Sequence, residues 1–86
     1  RNYPNPFNPS TTIAFSLPTA GKANLNIYNV KGQKVRDLGN PELTRGHHTV
    51  VWDGRDNRGQ SVSSGVYFVR LSTAQGNSVR KILMLK

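Results

Sequence analysis

The sequence predicts an all-β domain of six or seven short strands, arranged as a sandwich or a barrel. Three observations carry that reading. Apolar residues recur with a period of two in one segment after another, clusters of Gly, Pro, Asn and Asp separate those segments, and no window shows a convincing helical period. The chain has 86 residues, room for a single domain over residues 1–86. A chain of that size buries only roughly 60–65% of the surface its unfolded form exposes. Hydrophobic residues make up 35% of it, enough for two thin sheets but not for a deep pocket as well, which argues against an enzyme.

The elements follow in order. Pro4, Pro6 and Pro9 fix φ, remove donors and push the residues before them extended, so residues 1–10 read as a Pro-rich lead-in. Tyr3 and Phe7 are expected to cover one edge of the sandwich. In residues 11–17, Ile13, Phe15 and Leu17 alternate with small or polar residues, the pattern of a half-buried strand. Pro18 and Gly21 end it, and Ala23, Leu25 and Ile27 then alternate with Asn24, Asn26 and Tyr28 in a second strand. Residues 29–33 have hairpin length, with Gly32 free to take positive φ. Val35 and Leu38 belong to a short third strand. After the break at Gly39, Asn40 and Pro41, residues 41–44 are the one stretch able to form a single helical turn.

Residues 47–53 place His48, Val50 and Trp52 on one face of a further strand. Residues 53–59 are dense in turn formers, and 61–65 read as an irregular link. Tyr67, Val69 and Leu71 share one side of the strand over 66–71. A tight turn at 75–77 leads to a last strand over 79–85, with Val79, Lys81, Leu83 and Leu85 opposite Arg80, Ile82 and Met84. No internal repeat or linker divides the chain.

Composition narrows the function classes. Without cysteine, disulfide staples and thiolate metal sites are excluded. No apolar run approaches the ~20 residues of a membrane helix, so stable membrane insertion is not expected. The start at Arg1, with no signal peptide in view, fits a piece excised from a larger exported protein. The formal charge of +8 comes from 12 Lys and Arg against 4 Asp and Glu. These basic residues are scattered singly through turns and strands, which favours soluble faces and protected edges over a nucleic-acid partner.

Catalytic chemistry finds few materials. The carboxylates are Asp37, Glu42, Asp53 and Asp56, and Asp53 and Asp56 share a Gly-rich turn where Asp ordinarily bonds the turn's own amides. Asp53, Asp56 and Asn57 offer oxygens to a structural calcium, but the loop lacks the EF-hand spacing and its closing Glu. His47 and His48 are adjacent, so a strand points them to opposite faces, one partly buried and one exposed. There is no G-x-S-x-G element and no phosphate loop. Trp52 alternates with Val50, which places it in the core rather than on a sugar-binding platform. No catalytic residue, metal ligand or cofactor site is expected.

A resemblance adds to this reading. The blocks Y-P-N-P-F-N-P at residues 3–9 with S-T-T-I after them, I-Y-N-V-K-G-Q-K-V at 27–35, Gly46 to Gly54 with Gly59, S-G-V-Y-F at 64–68 and R-K-I-L-M-L-K at 80–86 strongly resemble type IX secretion system C-terminal sorting domains of type A. That family is similar in fold to the immunoglobulin-like domain of the flagellar hook-capping protein. The resemblance therefore implies an immunoglobulin-like antiparallel β-sandwich of about seven short strands. It also implies a non-catalytic sorting signal at the end of a covalently attached cargo. The cargo would cross the periplasm of a Gram-negative bacterium, pass the outer membrane through the type IX machinery, and end secreted or on the cell surface; in many members of the family a sortase-like peptidase cuts the domain off.

On this reading residues 79–86 form the recognition element, with Val79, Lys81, Leu83, Leu85 and Lys86 as its side chains and a terminal edge open to strand addition. The plainer alternative makes them the last strand of a sheet, with Leu83 and Leu85 in the core. Gly32, Gly54, Gly59 and Gly65 match the family pattern and are expected in turns that need positive φ. Two other classes stand beside the sorting signal. One is a carbohydrate-binding or structural sandwich appended to a secreted enzyme. The other is a flagellar hook-cap-like domain, which the Pro-rich opening and the end at Lys86 disfavour.

Overall fold

The computed structural model describes residues 10–85. The strands run in chain order β1 (Thr11–Leu17), β2 (Gly21–Lys22), β3 (Asn24–Tyr28), β4 (Lys34–Gly39), β5 (Glu42–Leu43), β6 (Gly46–Trp52), β7 (Gly65–Thr73) and β8 (Gly76–Met84). Two sheets enclose the core. The smaller pairs β1 with β6, and the larger runs β4-β3-β7-β8, all antiparallel. This is the immunoglobulin-like antiparallel sandwich, with β2 and β5 as a short third pairing at its side. The lead-in, with Tyr3 and Phe7, falls on residues 1–9, outside the described residues.

Alternation in the sequence becomes alternation in burial. Ile13, Phe15 and Leu17 of β1 point inward, against Leu25 and Ile27 of β3, Tyr67 and Val69 of β7, and Ile82 and Met84 of β8. Each such side chain contributes about 1.5–3 kcal/mol on burial. The register keeps like with like: Leu25 faces Leu71, Ile27 faces Val69 and Tyr67 faces Ile82. On β4, Val35 and Leu38 both pack against the core although they stand three residues apart. A regular strand would put them on opposite faces. Register shifts between Leu25 and Asn26, and between Ile27 and Tyr28, bend the pairing enough to bring both inward.

Two expectations are corrected. Residues 41–44 do not form a helical turn. Leu43 pairs with Gly21 and Glu42 with Lys22, and the Ala23 amide donates to the Pro41 carbonyl at 3.0 Å. Extended pairing satisfies backbone groups across the chain that one isolated turn would leave to water. At the other end the hairpin turns one residue earlier than expected, at Ala74 and Gln75, because Thr73 already pairs with Gly76. The last strand therefore begins at Gly76 rather than at Val79.

The buried Ile27 and the exposed Val51 test this assignment of the core. Ile27→Ala is expected to lower unfolding stability by about 2–5 kcal/mol in urea titration, a large share of the ~5–15 kcal/mol a small domain has. Val51→Ala should stay within about 0.5 kcal/mol of the parent.

Candidate functional site

β8 is the outer strand of the four-stranded sheet, so the predicted recognition element does lie at an edge. Its faces settle which side chains are available. Ile82 and Met84 turn into the core. Val79, Leu83 and Leu85 remain 63%, 57% and 73% exposed, and Lys81 is exposed beside them. Leu83 and Leu85 are therefore not core residues. Lys86 lies outside the described residues. The edge itself meets β1 through side chains rather than through a ladder. Thr11 Oγ1 donates to the Leu83 carbonyl at 3.3 Å, and the Arg80 guanidinium donates to the Ala14 carbonyl at 2.6 Å.

The opposite edge, β4, is covered by the loop after β6. The Asn57 amide donates to the Val35 carbonyl at 3.0 Å, and Asn57 Oδ1 accepts from the Asp37 amide at 2.9 Å. Arg36 clamps the same loop, donating to Asp53 Oδ1 at 2.9 Å and to the Arg55 carbonyl at 3.0 Å. That carbonyl also accepts the indole N–H of Trp52 at 3.0 Å. Asp53 Oδ1 accepts from the Arg55 amide as well, and the half-exposed ion pair with Arg36 adds at most about 1 kcal/mol.

The loop reveals a repeat that sequence reading missed. Residues 29–33 read N-V-K-G-Q and residues 56–60 read D-N-R-G-Q. Both fold alike. The amide of Gly32 donates to the Asn29 carbonyl, and that of Gly59 to the Asp56 carbonyl, each at 3.0 Å. The amides of Asn29 and Asp56 close the turns on the carbonyls of Gln33 and Gln60. Each first residue also holds two amides on one side-chain oxygen: Asn29 those of Lys31 and Gln33, Asp56 those of Arg58 and Gln60. Gly32 and Gly59, at φ 81° and 84°, supply the left-handed residue that completes such a turn. The signal that could have found the pair was the shared polar-x-basic-Gly-Gln spacing.

The other predicted glycines divide. Gly54, at φ 74°, lies in the loop after β6, whereas Gly65 opens β7 at φ 153° and is a strand residue rather than a turn residue. The twin turns and residues 62–67 border an open cavity of about 790 Å³ at one end of the sandwich. Its rim carries Lys31, Lys34 and Arg58, with Asp56 already committed to its own turn.

The remaining candidates have structural partners. Asp53 and Asp56 each give one oxygen, Oδ1, to loop amides, and no group of three His, Asp or Glu converges among the described residues. His48 is half-buried against Phe15 at 5.7 Å, with Nε2 2.7 Å from the Thr44 carbonyl, while the exposed His47 meets Ser16 Oγ at 3.0 Å. Trp52 is fully buried, edge-on to Tyr67 at 5.2 Å, and cannot present a sugar-binding face.

Fold and surface together define an immunoglobulin-like module built to present faces and edges. The sequence profile described as FlgD Ig-like domain matches residues 5–82. The chain belongs to that family. It is 34% identical over 59 residues to the basal-body rod modification protein FlgD of Salmonella typhimurium, and equally to that of Salmonella typhi, covering 69% of this chain and 25% of those proteins. The chain thus spans about a quarter of the length of these relatives. Among solved structures, FlgD from P. aeruginosa superimposes with a TM-score of 0.71 at 22% identity, covering 87% of this chain and 58% of that one. FlgD from Xanthomonas campestris, described in connection with hook capping in flagellar assembly, gives 0.64 at 23% identity over 90% of this chain and 56% of that one. These two show the same fold.

The sorting function is corrected by these matches, which are flagellar throughout. Its partners go with it: the type IX secretion machinery, the sortase-like peptidase and the attached cargo. The reason is physical. The blocks that carried the resemblance are the ones the fold needs. Residues 29–33 form a turn, Trp52 and Tyr67 are core, and Gly59 closes the second turn. Such residues report the architecture, which the two families share, and the most distinctive block falls on residues 3–9, outside the described residues.

The twin turns make a direct prediction. Asp56→Ala removes an acceptor for two amides and should cost about 1–3 kcal/mol in urea titration. Asp56→Asn, which copies the first turn, should restore most of that loss.

Proposed function

We propose that this chain is a non-catalytic, single-domain assembly module of the hook-cap kind, acting outside the cell as part of a flagellar structure. The observation that carries the reading is the family match over residues 5–82, supported by 34% identity to the Salmonella rod modification protein. The architecture agrees with such a role. Asp37, Asp53 and Asp56 each hold turn or loop amides, and both histidines have hydrogen-bond partners. The outward side chains of β8, Val79, Lys81 and Leu83, with Leu85 just after the strand and Lys86, form part of the contact with neighbouring subunits. Gly32, Gly54, Gly59 and Gly65 serve the fold. Export beyond the cell envelope follows from assembly at the hook.

Replacing the matched segment of Salmonella FlgD with this chain tests the proposal, in a strain lacking its own copy. Hook completion seen by electron microscopy, and swimming in soft agar, should return at least in part, whereas the protein with that segment deleted should restore neither. A chimaera that is folded and exported but leaves no hooks would overturn the reading.

A further inference from the structure

The two sheets differ sharply on their outer faces. On the β1–β6 sheet the outward residues include Thr12, Ala14, Ser16, His47 and Thr49, small or polar apart from Val51. On the four-stranded sheet the register brings Tyr28 of β3 opposite Phe68 of β7. Lys34 pairs with Tyr28 from one side and Lys81 with Phe68 from the other, giving the row Lys34, Tyr28, Phe68, Lys81 across four strands. Above it Val66 pairs with Leu83, and below it Arg70 pairs with Val79. Val66, Tyr28 and Phe68 are half-buried, and Val79 and Leu83 are more than half exposed. Aromatic and aliphatic groups gathered on one outward face, and missing from the other, mark an interaction surface.

Two further observations say what fits it. Asn26 stands in the row of Arg70 and Val79 and is 9% exposed. Its amide donates to Asn24 Oδ1 at 2.7 Å, but its own carbonyl oxygen has no hydrogen-bond partner. That oxygen is closed off from solvent, so contact on this face falls to the exposed side chains around it. The charge on this face is mainly basic: Lys34, Arg70 and Lys81 stand against one carboxylate, Asp37, which the register places opposite Asn26. Lys34, Arg70 and Lys81 make no ion pair among the described residues, and the nearby carboxylate, Asp37, accepts from the Gly39 amide at 2.8 Å.

We infer that the outer face of the four-stranded sheet docks an extended acidic polypeptide segment, laid across the strands with apolar side chains between its carboxylates. The inference deepens the assembly reading by naming a contact surface and the chemistry of its partner. Lys34 and Lys81 are separated by three strand spacings, roughly 14 Å, which an extended chain covers in about four residues. Carboxylates at positions i and i+4 therefore meet the two lysines, and an apolar side chain at i+2 falls on Tyr28 and Phe68. All three point to the same side of an extended segment. A second copy of this chain would bring lysine against lysine, and a nucleic acid, charged at every residue, would also set a phosphate against Asp37.

The test is amide chemical-shift mapping by NMR, titrating the chain with a short synthetic peptide repeating Glu-Thr-Leu-Thr. Shifts are expected to cluster on β3, β7 and β8 around Tyr28, Phe68 and Leu83, and to weaken as salt rises. The double variant Lys34→Glu, Lys81→Glu touches exposed side chains and keeps the fold; it should raise Kd at least tenfold. Leu83→Ser should weaken binding without changing its salt dependence. The proposal is overturned by no shifts at millimolar peptide, by shifts elsewhere, or by equal binding of the Glu→Gln peptide. Tighter binding of a single-stranded oligonucleotide to the same face also overturns it, as does concentration-dependent self-association through that face. Any of these leaves the assembly reading to stand or fall on hook completion.

Discussion

Trp52 is the point on which this small sandwich depends. Its ring is wholly enclosed, it lies at the end of β6, and it meets Tyr67 of β7 edge-on. It thereby joins the two sheets. Its N–H reaches the Arg55 carbonyl, and the same oxygen takes the guanidinium of Arg36 from β4. One indole thus fixes sheet on sheet and anchors the loop that covers the β4 edge. Burying so large a ring is a substantial term for a chain of this size, and its polar atom would be costly to leave unpaired. Arg55 answers that cost with a backbone carbonyl, which no side-chain substitution at that position removes.

The same loop explains how the larger sheet avoids open edges. At β4, Asn57 supplies a donor and an acceptor to the backbone in place of a neighbouring strand. At β8, Thr11 and Arg80 make side-chain bonds across to β1 and its surroundings. Neither device is a ladder, yet Asn57 occupies the Val35 carbonyl and the Asp37 amide on β4, and Thr11 occupies the Leu83 carbonyl on β8, groups that would otherwise template a foreign strand. Docking by strand addition at β8 would have to displace the bond from Thr11 to Leu83. Docking on the face displaces nothing.

Much of this was legible in the sequence, and the reasons are local. Ile13, Phe15 and Leu17 alternate cleanly because β1 has one wet face, and Tyr67 and Val69 do so for the same cause. What escaped was decided by distant partners. Nothing within residues 41–44 announces that Leu43 will pair with Gly21. The burial of Ile82 and Met84 rather than Leu83 and Leu85 depends on which face of β8 meets Tyr67 and Gly65, and both alternating sets are apolar enough to serve. The twin turns were visible as separate turns, but their equivalence appears only when the hydrogen bonds are compared. Function was misread for a related cause: glycine turns and core aromatics recur wherever this fold does, so they identify an architecture better than a task.

The basic charge, uninformative as a total, gains meaning once sorted by what each residue does. Arg36, Arg55 and Arg80 are tied to carbonyls or to Asp53 and hold the fold together. Lys31 and Arg58 sit at matching positions in the twin turns, where an exposed tip tolerates any soluble side chain. Lys34, Arg70 and Lys81 have neither excuse: they stand in strands, among aromatic and aliphatic neighbours, and make no ion pair among the described residues. Solubility alone would be served as well by mixed signs, and edge protection would place lysine on β4 and β8 but not arginine on the interior strand β7. A predominantly basic face, with Lys34 and Lys81 flanking the row of Tyr28 and Phe68, is what complementarity to an acidic partner requires.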